Sequence, residues 1–266
     1  MSAVLSAERL CVRHLRAERD AVRDASLQIG SGEVIALVGP NGSGKSTLLA
    51  ALAGAIGPRA GRVRLHGRDL RHYGARERAR RLARLPQEPR CPDGLTVLEL
   101  VATGRYAHRS RWARGGDPDR RAIEDALEAL HLHDHRNREV QRLSGGERRR
   151  AWIAMILAQE APIVLLDEPT AALDLRFQLE TLDHLVRLNR ERGVTLVVVV
   201  HDVEHAARLA DRVVVMRSGR VYEIGTPAQC IREETLQDVF GVRATVRDEG
   251  GLRVRVEGAA DPIRHM

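Results

Sequence analysis

VIALVGPNGSGKSTLL (Val34–Leu49) divides into three pieces, and each predicts a different structure. Val34-Ile35-Ala36-Leu37-Val38 is a short apolar run, the length of one buried strand. Gly39, Pro40, Asn41, Gly42, Ser43 and Gly44 make a turn-rich loop with three glycines. Lys45, Ser46 and Thr47 then open a helical pattern. The loop matches G-x-x-x-x-G-K-[ST] in full, between the strand and the helix that the motif requires. The chemistry is a phosphate cradle: glycines let backbone N–H groups turn inward, and the helix points its positive end at the anion. Lys45 would reach the outer phosphates, and the Ser46 hydroxyl would hold Mg²⁺.

Composition sharpens this. The chain carries 43 Lys+Arg, and Lys45 is its single lysine. An arginine-rich background makes that exception informative, because a compact ammonium acts as a point charge among phosphate oxygens where a guanidinium fork is bulkier and directional.

At 266 residues the chain is one large domain, or one domain with a subdomain. Aromatics make up 3%, so the core must be built from Leu, Val, Ile and Ala. The net charge of +7 permits nucleic acid, an anionic membrane surface or acidic protein loops as partners. Basic clusters at Arg76–Arg84 and Arg148–Arg150 read as solvated faces. Cys11, Cys91 and Cys230 are odd in number and far apart, which argues against a disulfide framework or a zinc site and fits a reducing compartment. MSAVLSAERL at the N-terminus lacks the pattern of a signal peptide. The longest strongly apolar runs, such as Leu196–Val200, are far short of a membrane span, so any membrane connection would go through a partner.

Along the chain, Glu8–Val12 and Ala21–Ile29 read as strands around a polar turn. Arg62–Leu65 alternates as a half-exposed strand should. Ala75–Leu82 reads as a short basic helix and Ala83–Leu85 as a strand. Residues 90–159 change character and read as a helical insertion: Thr96–Thr103, then a helix from Asp117-Pro118 with Ile123, Ala126, Leu127 and Leu130 on one face. The Arg109–Gly116 loop between them is basic and Gly-containing, and reads as mobile. Strands return at Ile163–Leu166 and Thr195–Val200. Between them lies a helix with a Leu175, Leu179, Leu182, Val186 stripe, ended by Gly193. Val213–Met216 and Arg220–Ile224 read as a hairpin, Glu233–Phe240 as a closing helix, and the tail 249–266 as weakly ordered. The pattern is α/β with a mainly parallel core sheet, an N-terminal antiparallel part and a helical subdomain. The core would span about 4–89 and 160–247, with the helical part at about 90–159.

Four further places carry chemistry. Asp167 and Glu168 follow a buried strand, where α/β sheets keep their ligands. Either they serve a metal and an attacking water, or they form an acidic turn before Pro169. Gln87 follows a short strand and could contact Mg²⁺ or the water, or simply be exposed. Leu143-Ser144-Gly145-Gly146-Glu147 is a capping box, and the same geometry leaves N–H groups open to an anion. His201 follows Thr195–Val200 and could bond a terminal phosphate, or be an ordinary satisfied histidine.

Taken together, GPNGSGKST (39–47), Gln87, LSGGE (143–147), IVLLDEPT (163–170), Ala172-Leu173-Asp174 and His201 resemble the ATP-binding-cassette ATPases, over about Ala7 to Arg247. GRYAHRS (104–110), RAWIAMILAQ (150–159) and LVVVVHDVEHAARLADRVVVM (196–216) look most like the ATPase subunits of bacterial importers for iron–siderophores, haem or cobalamin. The resemblance implies that residues 39–47 bind the phosphates of ATP and that Ser46, Gln87 and Asp167 serve Mg²⁺. Glu168 would be the catalytic base, with His201 sensing the γ-phosphate. Ser144, Gly145, Gly146 and Glu147 would close on ATP held by a second copy, with Asp174 in the loop crossing to it. It also implies a permease partner docking on the helical part, an indirect binding-protein partner, and a place at the cytoplasmic face of the membrane. A non-transport cassette acting on nucleic acid, or an exporter subunit, is the alternative. One departure stands out: the family stacks an aromatic on adenine from the N-terminal region, and here His14 stands about where it is expected.

Overall fold

The computed structural model describes residues 3–15, 17–108, 116–248 and 250–260. In chain order the elements are β1 (Ala3–Val12), β2 (Val22–Gly30), β3 (Val34–Val38), α1 (Lys45–Leu52), β4 (Ala60–Leu65), β5 (Arg68–Asp69), α2 (Ala75–Ala79), β6 (Leu82–Leu85), α3 (Val97–Thr103), α4 (Asp117–Ala129) and α5 (Gly145–Ala158). They continue with β7 (Ile163–Asp167), α6 (Leu175–Arg192), β8 (Thr195–Val199), α7 (Val203–Leu209), β9 (Arg212–Arg217), β10 (Arg220–Gly225), α8 (Pro227–Cys230), α9 (Glu233–Thr235), β11 (Val242–Asp248) and β12 (Leu252–Ala259). The chain falls into two units, residues 1–70 with 197–266 and residues 71–196.

In the first unit, an antiparallel sheet runs in the order β2-β1-β4-β5. Its β4 shows the alternation read from Arg62–Leu65, with Val63 and Leu65 buried. The order β10-β9-β3-β8 gives the other sheet of this unit. Strands β3 and β9 are parallel, Val38 opposite Val215, and β9 turns into β10 across Ser218-Gly219. All five residues of β3 are buried, as a strand covered on both faces requires. Helix α1 is buried at every position except Ser46, so it packs all round rather than on one stripe.

In the second unit, β6 and β7 are parallel, with Leu82 opposite Ile163 and Leu85 opposite Leu166. Helix α3 starts at a capping box in which Thr96 and Glu99 bond each other's backbone N–H groups. Helix α4 buries Ala122, Ile123, Ala126 and Leu127 against α5, with Leu130 just beyond. Gly104 lets the backbone after α3 approach α5 closely: a Cβ there would stand 2.3 Å from Met155 O. Helix α6 stops at Gly193, whose φ of 64° puts it in the left-handed region that suits glycine.

The second unit holds β6, β7 and α6 together with residues 90–159, and its α5 packs on β6 as well as on α3 and α4. Other expectations shift. The stripe expected on α6 is narrower: Leu175 is 69% exposed, and Thr181, Leu182 and Leu185 are the buried positions. Leu175 is the first residue after the Asp174 N-cap, so it precedes the face that packs. The closing helix divides into α9 and a π turn over Leu236–Phe240. Residues 252–259, read as part of a weakly ordered tail, form β12 against β11, with Val246 opposite Val254. The Val254 N–H donates to Glu204 on α7 at 2.7 Å, a contact no local pattern encodes. The loop 109–115 and residues 261–266 lie outside the described residues.

Candidate nucleotide site

The phosphate loop of the first unit is shaped by close backbone approaches. At Gly39, with φ +148°, a Cβ would stand 2.2 Å from Met216 O. At Gly44, with φ +101°, it would stand 2.4 Å from Ala21 O. Side chains at these positions would push the loop off the strands behind it. Gly219, in the β9–β10 turn, donates its N–H to Ser43 O at 2.9 Å and braces the loop from that side.

Lys45 is only 5% exposed. Its Nζ donates to Gly39 O at 2.8 Å and to Pro40 O at 3.0 Å, so the ammonium is already drawn back over the loop. Helix α1 starts at Gly44 with no side-chain cap, which leaves its positive end for an anion. Ser43 Oγ is buried and has no hydrogen-bond partner among the described residues. An orphaned hydroxyl costs on the order of 1–3 kcal/mol, and a phosphate oxygen is the acceptor this cradle lacks. The loop therefore fits a phosphate group.

Two histidines accompany the loop. His14 Nε2 lies 2.8 Å from Thr47 Oγ1 on α1, so the imidazole expected near the base is held against the helix that carries Lys45. His201 is exposed, directly after Val200, whose N–H donates to Leu37 O at 3.2 Å on β3. Chain direction thus brings His201 to the end of β3 from which the loop emerges.

In the second unit, the register of β6 on β7 decides the contact. Gln87 and Glu168 each stand two residues past the paired Leu85 and Leu166. Gln87 Nε2 donates to Glu168 Oε2 at 2.9 Å. Asp167 is 2% exposed and Glu168 8%, so both carboxylates are taken out of bulk water. Glu168 has φ +50°, rare for a residue with a Cβ. Both acids are buried, Glu168 is in contact with Gln87, and the Ala171 N–H closes a turn on Glu168 O at 3.1 Å. Burial pushes the half-buried Arg84 guanidinium below its ordinary value, opposed by the nearby Asp167 charge.

Ser144 and Glu147 form the capping box read from the sequence. The Glu147 N–H donates to Ser144 Oγ at 3.3 Å, and the Ser144 N–H to Glu147 Oε2 at 2.8 Å. That backbone hydrogen bond, then the one from the Ser144 side chain, holds the Glu147 carboxyl below its ordinary range, and His135 lies 3.3 Å away. Ser144 and Gly145 are exposed, and a Cβ on Gly145 would meet nothing within 4 Å. Both functions of LSGGE remain compatible: the side chains cap their own helix, and the glycines stay open to a ligand. Asp174 is the exposed N-cap of α6, its Oδ1 accepting from the Phe177 N–H at 3.0 Å.

Arg149 was missed. The Arg148–Arg150 run reads as a solvated basic face, yet Arg149 is 6% exposed and Arg150 7%, with Arg148 alone exposed. Arg150 stacks over the Phe177 ring at 4.0 Å and donates to Leu130 O. Arg149 reaches backbone carbonyls around Gln87 and Glu168. A run of like charges on a helix sends its members to different faces, 100° apart per residue, which is the signal composition alone obscures.

A phosphate loop at the end of a parallel strand, a buried acid pair of which Glu168 is bonded by a glutamine, and a glycine-bearing helix start define a nucleoside triphosphatase cassette. The chain belongs to the ABC transporter family, whose model matches residues 22–171. It is 41% identical over 242 residues to the Iron(3+)-hydroxamate import ATP-binding protein FhuC of Bacillus subtilis (strain 168), covering 91% of this chain and 89% of that one. It is 45% identical over 228 residues to the Hemin import ATP-binding protein HmuV of Rhodococcus jostii (strain RHA1), covering 85% of this chain and 76% of that one. Among solved structures, the dimeric post-hydrolysis cassette MJ0796 bound to ADP and Pi matches at a TM-score of 0.76 and 28% identity, over 84% of this chain and 98% of that one. The chain is accordingly an ATPase.

Proposed function

We propose that this chain is the ATP-hydrolysing motor of a membrane importer for an iron chelate, a siderophore complex or haem. The observation that carries the ATPase part is the buried Lys45 over a loop whose Ser43 hydroxyl lacks an acceptor. The importer part is supported by the likeness to iron(3+)-hydroxamate import, ferric enterobactin transport and hemin import ATP-binding proteins. No helix among the described residues is long and apolar enough to cross a membrane. In this reading the membrane connection runs through permease subunits at the cytoplasmic face, with a substrate-binding protein acting on the permease and not on this chain.

Each residue has a role in this reading. Residues 39–47 cradle the phosphates, with Lys45 as the point charge and Ser43 Oγ as a further donor. His14 lies against the base. Glu168 takes the proton from the attacking water, Gln87 orients that water, and His201 hydrogen-bonds the terminal phosphate. Ser46, Gln87 and Asp167 offer only oxygen donors, the set that suits Mg²⁺, which would neutralise charge on the transferring phosphoryl group. The exposed Ser144 and Gly145 and the half-buried Gly146, with Glu147 holding their helix start, are presented to ATP on a second copy, and Asp174 lies near that boundary.

The test is co-purification with candidate permease subunits of an iron-chelate importer, followed by reconstitution and an ATPase assay with the loaded binding protein. Stimulation by a ferric siderophore or haem is expected. Stimulation by nucleic acid with no membrane partner would overturn the importer reading.

A further inference from the structure

The Arg149 guanidinium has five N–H donors, and each meets a different backbone carbonyl. Nε donates to Pro169 O at 3.3 Å. Nη1 donates to Pro86 O at 3.2 Å and Gln87 O at 2.9 Å. Nη2 donates to Asp167 O at 2.5 Å and Glu168 O at 2.6 Å. One side chain of α5 thus ties together the segment after β6 and the segment after β7. Three of its acceptors are the carbonyls of Glu168 and its two neighbours, at the position where φ is +50°. A left-handed residue with a Cβ is disfavoured by the clash of Cβ with the backbone and persists where its surroundings over-determine it.

We infer that Arg149 is a positioning residue for hydrolysis: through five carbonyl bonds it fixes the backbones of Gln87 and Glu168 to the helix that begins at Ser144. This rests on Glu168 as the base and Gln87 as its partner. A pin made only for stability would not need to gather the two sides of that pair. The same link makes the Ser144–Gly146 end of α5 mechanically continuous with the base, so engagement of that end reaches Glu168 by one side chain. Lysine cannot replace it, because three donors from one point cannot meet five diverging carbonyls.

The test compares the full-length chain with Arg149→Lys and, as a second variant, Arg149→Gln. ATP hydrolysis is measured against ATP concentration, nucleotide affinity by titration and folding by thermal melting. For Arg149→Lys, kcat should fall at least about tenfold, the scale of a small misplacement of a catalytic group, with KM and nucleotide affinity held within about threefold. The loss should be smaller in a Gln87→Ala background, since residues acting through one another are not additive. A kcat within about twofold of the parent overturns the proposal. So does a loss that is fully additive with Gln87→Ala and tracks the fraction of folded protein. Undiminished hydrolysis by Glu168→Gln would overturn the reading of the base itself, whatever Arg149 does.

Discussion

Gln87 and Glu168 occupy equivalent positions past the ends of two neighbouring parallel strands, joined by a 2.9 Å hydrogen bond from Gln87 Nε2 to Glu168 Oε2. The amide occupies one carboxylate oxygen and sets the direction of the other. Glu168→Gln should lower turnover by about 10²–10⁴-fold, the usual worth of a general base, and accumulate an ATP-bound dimer on gel filtration. Gln87→Ala should cost less, because the base remains. Equal losses from the two would mean that Glu168 acts only through Gln87.

Lys45 is the single lysine of the chain. Its ammonium bridges the Gly39 and Pro40 carbonyls over the phosphate loop. An amine-acylating reagent should therefore mark one side chain, and ATP should protect it in peptide mass spectrometry. Lys45→Arg should abolish most turnover, because the fork cannot take the place of a point charge in so small a space. Acylation at an unchanged rate in saturating ATP would place the phosphates elsewhere.

Gly104 tests packing in the second unit away from the acid pair. Alanine there would put a Cβ 2.3 Å from Met155 O and 3.1 Å from Gln159 N on the C-terminal turn of α5. Overpacking of this kind costs about 1–3 kcal/mol. A lowered denaturation midpoint is expected, and an unchanged one would show that α5 and the segment after α3 part freely.

Glu147 predicts a pH effect. Its folded-state carboxyl titrates below the ordinary 4.5, first through the backbone hydrogen bond from Ser144. A depressed acid stabilises the fold fully above its unfolded value and loses that contribution as pH falls through the folded one. The wild type should therefore be more stable than Glu147→Gln near neutrality, with the gap closing as pH falls below about 4.5. Melting curves between neutral and acid pH check this, and a gap that persists in acid would exclude the charge as its source.

His14 stands where an aromatic is expected and bonds Thr47 Oγ1 at 2.8 Å. If it stacks on the base, His14→Tyr should tighten ATP binding by about 2–10-fold, from the 0.5–1.5 kcal/mol typical of aromatic pairs. Unchanged affinity would remove His14 from the base site.

The phosphate loop and its strand and helix were legible because they are continuous in sequence, and so was the capping box at Ser144 and Glu147. Strands β3, β7 and β8 were legible because residues buried on both faces leave no polar choice. Less local features were not. The β12 strand alternates Leu252, Val254 and Val256 with Arg253, Arg255 and Glu257, a period-two pattern, but none of these residues is buried, so its pairing with β11 decides that it is held in place. The α6 stripe was overextended because periodicity marks a face but not how much of it a neighbour covers.

The residues from Val34 to Leu49 by themselves predict a phosphate cradle and set the chain's single lysine in it. Fixed φ values at glycines and a free helix start are local properties of the chain. The tertiary structure alone decided that Gln87 touches Glu168, since that contact follows from the register of Leu85 on Leu166. It also decided that Arg149 is buried among five carbonyls while Arg148 is in water. Three adjacent arginines are chemically alike, and only the packing of α5 against the segments after β6 and β7 tells them apart.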